Sequence, residues 1–377
     1  MPRGPGGSPG FAFDRVLVCG IGLIGSSMAR ALRRMHREGR AGGTGVIVAA
    51  DPHAAGLARA LALGVIDEAC VLAPADTGVA PTGTVAADAS AVDAAFALAA
   101  GQADLIILAA PVAQTRDLLA RIAPVLRADA VLTDVGSTKA RICETARAAL
   151  GARHARFVAA HPIAGGEASG VDAGDAALFA GRDVILCPAP DTAPDAMARV
   201  AAMWRLAGAR ATCMTPARHD RLFAGVSHLP HLLAFAFIEH ILQSDEADER
   251  LAFAGPGFRD FTRIAASNPQ MWRDICLANR DAVLADLDRY LGVLGAVRAT
   301  LAEADGDGLE ALFSRSRTAR RDWCPGAARG AGGSAGSAVE SAAEAGVGNA
   351  AKPSGNGYET VDDRASAAGQ PMKKRNI

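Results

Sequence analysis

Three glycines stand at positions 20, 22 and 25, between a short apolar run and a segment with helical periodicity. Gly20 allows a tight turn after a strand, Gly22 lets a pyrophosphate lie against the backbone, and Gly25 lets the helix pack closely on the strand. The free N–H groups of the helix start would face the phosphates. We therefore predict a dinucleotide-binding turn; the alternative is a glycine-rich turn that binds nothing. The expected cofactor contacts there are Gly20, Ile21, Gly22, Leu23, Ile24 and Gly25.

Asp51 ends the next apolar run, where a carboxylate can accept hydrogen bonds from the adenosine ribose hydroxyls. It would repel a 2′-phosphate, so the expected cofactor is NAD rather than NADP. In doubly wound sheets ligands lie beyond the carboxyl ends of the strands. Pro111 and Val112 follow the apolar run 105–108 and should also contact the cofactor.

Ser137 and His161 each follow a predicted strand and therefore reach the same edge of the sheet. A bound nicotinamide implies hydride transfer, and a histidine can take the proton that an alcohol loses as it is oxidised. From the residues alone, His161 is either that base or a histidine satisfied before a turn proline. Ser137 either orients the alcohol or, with Thr138, caps the helix from Lys139 to Leu150.

Further along the chain, Arg259 and Arg263 share a helix face and could bind carboxylates. The competing interpretation is a solvated face paired with Asp260. His228 and His231 have a spacing that metal sites use, but no Glu or Cys nearby completes a ligand set, so we predict no metal. A binding-cleft role or plain helix packing is the better interpretation for these histidines.

Strand and helix candidates alternate from Arg15 to Met214, which predicts an α/β fold with a mostly parallel, Rossmann-type sheet. From Pro216 the candidates are all helical, and Asn268 followed by Pro269 is typical of a helix start. We expect this all-α part to form a homodimer, because its apolar faces need a partner.

The predicted boundaries are a disordered arm over 1–13, an NAD-binding domain over 14–215, a helical dimerisation and substrate domain over 216–324, and a disordered tail over 325–377. The tail is rich in Gly, Ala and Ser and cannot bury enough apolar surface to offset its ordering entropy. Residues 74–90 lack periodicity and are predicted as a surface loop.

The 377 residues carry a formal net charge of −1, which favours neither a nucleic-acid nor a membrane surface. The 7 cysteines are scattered without C-x-x-C spacing, so we expect buried thiols in a reducing cytoplasm. No uninterrupted apolar run reaches the ~20 residues that span a bilayer, and we predict no membrane segment.

Taken together, these segments resemble the prephenate and arogenate dehydrogenase family of tyrosine biosynthesis. The matching pieces follow the family's order over roughly residues 14 to 290. They are the glycine turn continuing to Ser26, Asp134-Val135-Gly136-Ser137-Thr138-Lys139, His161-Pro162-Ile163-Ala164-Gly165-Gly166-Glu167, His219-Asp220, Ser227-His228-Leu229-Pro230-His231, Phe258-Arg259-Asp260-Phe261-Thr262-Arg263-Ile264-Ala265 and Met271-Trp272-Arg273.

The resemblance implies NAD-dependent oxidative decarboxylation of prephenate to 4-hydroxyphenylpyruvate, with arogenate as an alternative substrate. It implies that His161 accepts the proton of the ring hydroxyl and that Ser137 holds this hydroxyl against the nicotinamide. The substrate-binding residues that it implies are Arg263, Arg259, His231, Ser227 and Glu167. No metal is needed for this chemistry.

The sequence departs from the family at Gly166, where relatives often have threonine, and this leaves prephenate and arogenate both open. A β-hydroxyacid dehydrogenase is a second interpretation, but those enzymes use a helix lysine, and no lysine lies between Lys139 and Lys352. A protein that senses NAD without catalysis is the third. The tail is too disordered to be a tyrosine-sensing domain, so any tyrosine inhibition would act at the active site.

Overall fold

The computed structural model describes residues 13–38, 44–73, 89–166 and 168–323, and all structural statements below concern these ranges. The predicted tail 325–377 and nearly all of the predicted arm lie outside them. Phe13 was assigned to the arm wrongly: it is the first residue of a strand, fully buried and stacked under the Arg199 guanidinium. Most of the predicted loop 74–90 is also outside the described residues, but a helix already begins at Ala89.

Eight strands form one sheet in the order β3-β2-β1-β4-β5-β6-β7-β8. Strands β1 to β6 run parallel, β7 is antiparallel to β6, and β8 is parallel to β7. The predicted Rossmann-type, mostly parallel sheet is therefore confirmed. The strands are β1 Phe13–Cys19, β2 Thr44–Asp51, β3 Glu68–Val71, β4 Leu105–Leu108, β5 Val131–Asp134, β6 Phe157–Pro162, β7 Asp183–Cys187 and β8 Arg210–Cys213.

The strands are apolar on both faces because helices cover both sides of the sheet. In β1, Val16 and Val18 join the core on one face, whereas Leu17 and Cys19 join the core on the other. This explains why β1 and β4 read as continuous apolar runs without alternation. The covering helices are α1 Leu23–Arg37, α2 Ala54–Ala62, α3 Ala89–Gln102, α4 Thr115–Ile122, α5 Ala140–Leu150 and α6 Pro194–Leu206.

After β8 the described chain is helical. The Asn268 side chain accepts from the N–H of Met271 at 2.9 Å, as expected for the helix start at Pro269. The helices are α7 Pro216–Phe223, α8 Leu229–Leu242, α9 Ala247–Ala252, α10 Pro256–Thr262, α11 Pro269–Ala278, α12 Arg280–Ala302 and α13 Gly306–Asp322. A π-helical turn, Ala224–His228, joins α7 to α8.

The change from sheet to helices falls between β8 and α7, where the sequence places a domain boundary; that boundary stays a prediction. By compactness the chain divides instead into residues 1–315 and 316–377. The first unit contains the sheet and the helices up to most of α13. The described part of the second, residues 316–323, is the end of α13.

The continuous helical stretch Pro216–Leu242 is long and apolar enough, by length and composition, to cross a membrane. The prediction of no membrane segment counted uninterrupted apolar residues, whereas average hydropathy tolerates interspersed polar residues; it stays a prediction, because a core helix of a globular protein passes the same test. Within this stretch, His219, Asp220 and His228 are buried against protein. Their polar groups form hydrogen bonds with other buried side chains, as described below.

Candidate active site

The glycine turn after β1 is held by close backbone packing. Gly20 has φ +98°, and a Cβ on it would lie 2.6 Å from the carbonyl oxygen of Ala109. A Cβ on Gly25 would lie 2.0 Å from the carbonyl oxygen of Gly20. Both positions therefore exclude any side chain. The turn therefore packs against Ala109, the first residue after β4. This contact holds the first turn of α1 close to the carboxyl ends of the strands.

Gly22 differs from these two glycines because a Cβ there would meet nothing within 4 Å. Its backbone, with φ −70°, suits any residue, and no side chain caps α1. The space at Gly22 is thus open, and this residue, the N-cap of α1, provides no side-chain acceptor for the first N–H groups of the helix. This is the cradle that a pyrophosphate needs, so the turn fits a dinucleotide.

Asp51, the last residue of β2, is tied to the glycine turn. Its Oδ2 accepts from the N–H of Ile21 at 2.9 Å and its Oδ1 from the N–H of His53 at 2.8 Å. The carboxylate is therefore oriented before any ligand binds. Next to it, an open cleft runs between Pro52 and α4; its lining includes Leu72, Gln114, Leu118 and Arg121.

Pro111 and Val112 lie at the start of the short 3-10 helix Val112–Gln114, between β4 and α4. This segment borders the cleft through Gln114, one residue before α4. The glycine turn, Asp51 and the Pro111-Val112 segment lie at the carboxyl ends of β1, β2 and β4, the place where doubly wound sheets bind ligands. The cleft itself is lined by their chain neighbours Pro52 and Gln114. The individual roles of the predicted cofactor contacts stay predictions.

A buried ion pair lies where β5 and β6 separate. The two strands pair only at two positions, up to Thr133 and Val158. Beyond these, Asp134 accepts from the N–H of Ala160 at 3.0 Å and pairs with the Lys139 ammonium, which also donates to the Ala160 carbonyl at 2.9 Å. Both charged side chains are fully buried. The pair replaces the missing strand ladder and fixes the end of β6.

His161, on β6, begins a chain of hydrogen-bonded side chains. Its Nδ1 lies 2.8 Å from Nε2 of His219 on α7, and Nδ1 of His219 lies 2.7 Å from Oδ1 of Asp220. Phe223 packs on both rings, with centroid distances of 5.0 and 4.5 Å. His219 and Asp220 are buried, while His161 is partly exposed.

The partners of these rings decide where their protons sit. A carboxylate only accepts, so His219 carries its proton on Nδ1 and its Nε2 is an acceptor when neutral. His161 must then donate through Nδ1, which leaves its Nε2 as the free basic nitrogen. Burial, then the neighbouring His219, Lys139 and His228, hold the pKa of His161 well below its ordinary value. His161 is therefore a neutral base at neutral pH.

Asp220 also caps α5 from a distance. Its two oxygens accept from the N–H groups of Lys139 and Ala140, both at 2.8 Å. Burial raises the pKa of Asp220, but these bonds and the one from His219 outweigh it and hold the pKa below its usual range. The prediction that Ser137 or Thr138 caps α5 was wrong: no local side chain caps this helix, because a carboxylate from α7 occupies that position.

A second group of aromatic side chains lies on the helical side. His231 donates through Nδ1 to the carbonyl oxygen of Ser227 at 2.8 Å, and its ring stacks on Trp272 with a centroid distance of 3.6 Å. Burial lowers the pKa of His231, and the nearby Arg263 lowers it further. The structure therefore brings together three predicted substrate contacts, Ser227, His231 and Arg263.

Arg259 lies exposed on α10, one turn before Arg263 in the short helix Arg263–Ala266. Glu167 lies outside the described residues. Ser137 lies in the loop between β5 and α5 and is partly buried. In the part of the chain that the structure describes, no group of three or more His, Cys, Asp or Glu side chains could hold a metal ion. The roles of these site residues stay predictions.

Several residues that shape this site had no role assigned from the sequence. His219-Asp220 was included among the segments that resemble the family, but no role was given to either residue. Asn279 and Trp272 had no role either, although both are buried beside the histidines. The sequence signal that could have indicated them is the occurrence of polar residues within otherwise apolar helices.

Comparison with known proteins gives two family matches. Residues 77–213 match the model described as prephenate dehydrogenase, nucleotide-binding domain, and residues 215–315 match prephenate dehydrogenase, dimerization domain. The first match starts after the glycine turn. The junction between the matches follows β8.

Two relatives and one solved structure illustrate the likeness. The chain is 37% identical to the cyclohexadienyl dehydrogenase of Zymomonas mobilis over 221 residues, 58% of this chain and 75% of the relative. It is 32% identical to the prephenate dehydrogenase of Bacillus subtilis over 309 residues, 81% of this chain and 75% of the relative. The crystal structure of A. aeolicus prephenate dehydrogenase with hydroxyphenyl propionate and NAD+ has a TM-score of 0.69 at 32% identity, covering 82% of this chain and 98% of that one.

Proposed function

The chain belongs to the prephenate dehydrogenase family, and from that premise we propose that it oxidises and decarboxylates prephenate to 4-hydroxyphenylpyruvate with NAD. The observation that carries the proposal is the His161–His219–Asp220 chain at the end of β6, with hydrogen bonds of 2.8 and 2.7 Å. It provides a base whose free nitrogen is fixed. The open cradle over Gly22 lies on the same edge of the sheet.

NAD, when bound, would supply the acceptor for the hydride that leaves the ring carbon carrying the hydroxyl. The residues that would hold it are the glycine turn, Asp51 at the ribose, and Pro111 with Val112 beyond β4. Asp51 is already oriented by two backbone N–H groups, so it loses little conformational freedom on binding.

His161 accepts the hydroxyl proton on Nε2 as the hydride leaves. The imidazolium that forms is stabilised through Nδ1–H by His219, which Asp220 orients in turn. The carbon–carbon bond to the ring carboxylate breaks, its electron pair enters the ring, and carbon dioxide leaves. The ring becomes aromatic, and the proton returns from His161 to the phenolic oxygen. Ser137 holds that oxygen in register.

Positioning the substrate is the remaining task, because aromatisation supplies the driving force. We assign the ring carboxylate to Arg263, with His231, Ser227 and Arg259 completing the pocket on the helical side. A guanidinium can bind a carboxylate through two hydrogen bonds. The Trp272 ring stacks on the His231 ring and holds it in place.

The assay for this proposal follows NADH formation with prephenate and, separately, with arogenate, in wild type and His161→Asn. We expect turnover with prephenate that is largely lost in the variant, since asparagine cannot take the proton on a ring nitrogen. Turnover with both substrates would identify a broad cyclohexadienyl dehydrogenase, the alternative that Gly166, where relatives often have threonine, leaves open. NAD binding without turnover of either substrate would overturn the proposal and favour a sensing protein.

We also propose that the chain forms a homodimer through its helical part. Exposed leucines on α12 recur at seven- and three-residue spacing, the pattern of a helix–helix seam. They are Leu284, Leu291, Leu294 and Leu301. Light scattering of wild type and Leu291→Asp tests this: we expect a dimer that dissociates in the variant, and an unchanged dimer would contradict the assignment of this face.

The six described cysteines are free, which suits a reducing cytoplasm. This location is part of the proposal.

A further inference from the structure

His228 is a buried histidine that the mechanism above does not use. It is the last residue of the π-helical turn Ala224–His228, and Pro230 follows in the first turn of α8. A proline has no N–H for the helical ladder, and π turns of this kind are frequent at functional sites. The turn leaves the His228 side chain fully buried.

Asn279 fixes the tautomer of His228. The Asn279 amide nitrogen donates to the carbonyl oxygen of Asp220 at 2.8 Å and lies 3.0 Å from Nδ1 of His228. Since a carbonyl only accepts, this amide atom is the nitrogen, and its second hydrogen goes to Nδ1. The His228 proton is therefore on Nε2.

This Nε2–H group is a buried donor with no hydrogen-bond partner among the described residues. Burial lowers the pKa of His228 to about 4 in spite of Asp220, so the ring is uncharged at neutral pH. The backbone of Ser137 acts as an acceptor toward the ring and raises its pKa slightly, but the contact falls short of hydrogen-bond geometry, and the Trp272 ring centroid lies 6.2 Å away. An orphaned buried donor is costly, and sites that bind ligands are where such groups persist.

We propose that His228 is a ligand-binding residue whose Nε2–H donates a hydrogen bond to an uncharged oxygen of the bound ligand beside Ser137. Two sources of that oxygen exist if the proposed function holds: the hydroxyl of the substrate and the carboxamide of the nicotinamide. An uncharged donor suits either one. It suits a carboxylate less, for which the same site offers the guanidinium of Arg263.

Two substitutions separate the two nitrogens of His228. His228→Asn places an amide where Nδ1 was, so it keeps a partner for Asn279 and removes the inward donor. His228→Gln places an amide nitrogen where Nε2 was, so it keeps the inward donor and loses the link to Asn279. His240→Asn, a substitution of an exposed histidine on α8, is the matched control.

The measurements are the dissociation constant for NAD, KM and kcat with prephenate, and the melting temperature of each variant. We expect His228→Asn to change either the dissociation constant for NAD or one of the two kinetic constants about tenfold, the usual effect of losing one neutral hydrogen bond. A weaker NAD affinity identifies the carboxamide oxygen, and a raised KM or lowered kcat identifies the substrate hydroxyl. His228→Gln should retain most of the wild-type value.

The inference is overturned if His228→Asn stays within twofold of wild type in every constant, or if His228→Gln is impaired and His228→Asn is not. The second pattern would mean that His228 only supports Asn279. Wild-type turnover is measured first, so a failure of the proposed function is seen independently of His228.

Discussion

Replacing His219 by asparagine should slow turnover without weakening substrate binding. His219 contacts His161, the proposed base, and accepts the Nδ1–H of that ring at 2.8 Å. This bond becomes charge-assisted when His161 takes up the substrate proton, so it is stronger in the transition state than in the resting enzyme. His219 is thus a positioning residue.

The magnitude follows from the bond that is lost. Hydrogen bonds to charged groups contribute about 1.5–3 kcal/mol, which corresponds to a decrease in kcat of roughly 10- to 150-fold. Asparagine can still donate to Asp220, which preserves the cap on α5. KM should stay near the wild-type value, because the substrate-side residues are untouched.

The assay is steady-state NADH formation with prephenate, together with the melting temperature of each variant. His219→Gln is the matched control, since its side-chain oxygen can reach the position of Nε2 and accept from His161. We expect it to recover part of kcat. A kcat within twofold of wild type for His219→Asn, or a glutamine variant as slow as the asparagine variant, would refute the relay.

Three further predictions concern the cofactor cradle and the buried histidines. Gly22→Ala should abolish NAD binding in calorimetry at an unchanged melting temperature, because its Cβ enters the open space where the pyrophosphate would lie. Gly25→Ala should instead unfold the protein, because its Cβ would lie 2.0 Å from the carbonyl oxygen of Gly20. An NAD affinity of Gly22→Ala equal to that of wild type would contradict the cradle. Asp51→Ser should lower kcat/KM with NAD by roughly tenfold and raise it with NADP, with Asp51→Asn as a control that can still accept from Ile21; an unchanged NAD/NADP ratio would remove Asp51 from the ribose site. The folded-state pKa of His228, about 4, lies below the unfolded value of 6.5, so the unfolded chain takes up the proton first and stability should fall from about pH 7 to pH 4. His228 contributes up to roughly 3 kcal/mol to this loss in urea unfolding, and a pH-independent free energy of unfolding would contradict its burial as a neutral ring.

The parts of the molecule that the sequence could predict are those set by neighbours in the chain. The glycine spacing after β1 and the Asn268-Pro269 helix start depend on residues within one turn, and the fold class follows from the alternation of strands and helices. The family resemblance extended this to a list of site residues.

The parts that it could not predict depend on distant residues meeting in space. Asp220 caps α5 across 80 residues, and His219 reaches His161 across 58, so no local pattern contains either contact. The burial of Lys139 against Asp134 likewise depends on how β5 and β6 diverge. From residue types alone, a local serine and an aspartate from another helix are equally good candidates for the cap of α5.

The most direct test of the proposed reaction is the simultaneous measurement of NADH and carbon dioxide released from prephenate by the purified 377-residue chain. We expect the two products in equal amounts in wild type and both largely lost in His161→Asn, because hydride loss and decarboxylation share the proton transfer to His161. NADH formation without carbon dioxide, or equal rates in wild type and His161→Asn, would contradict it.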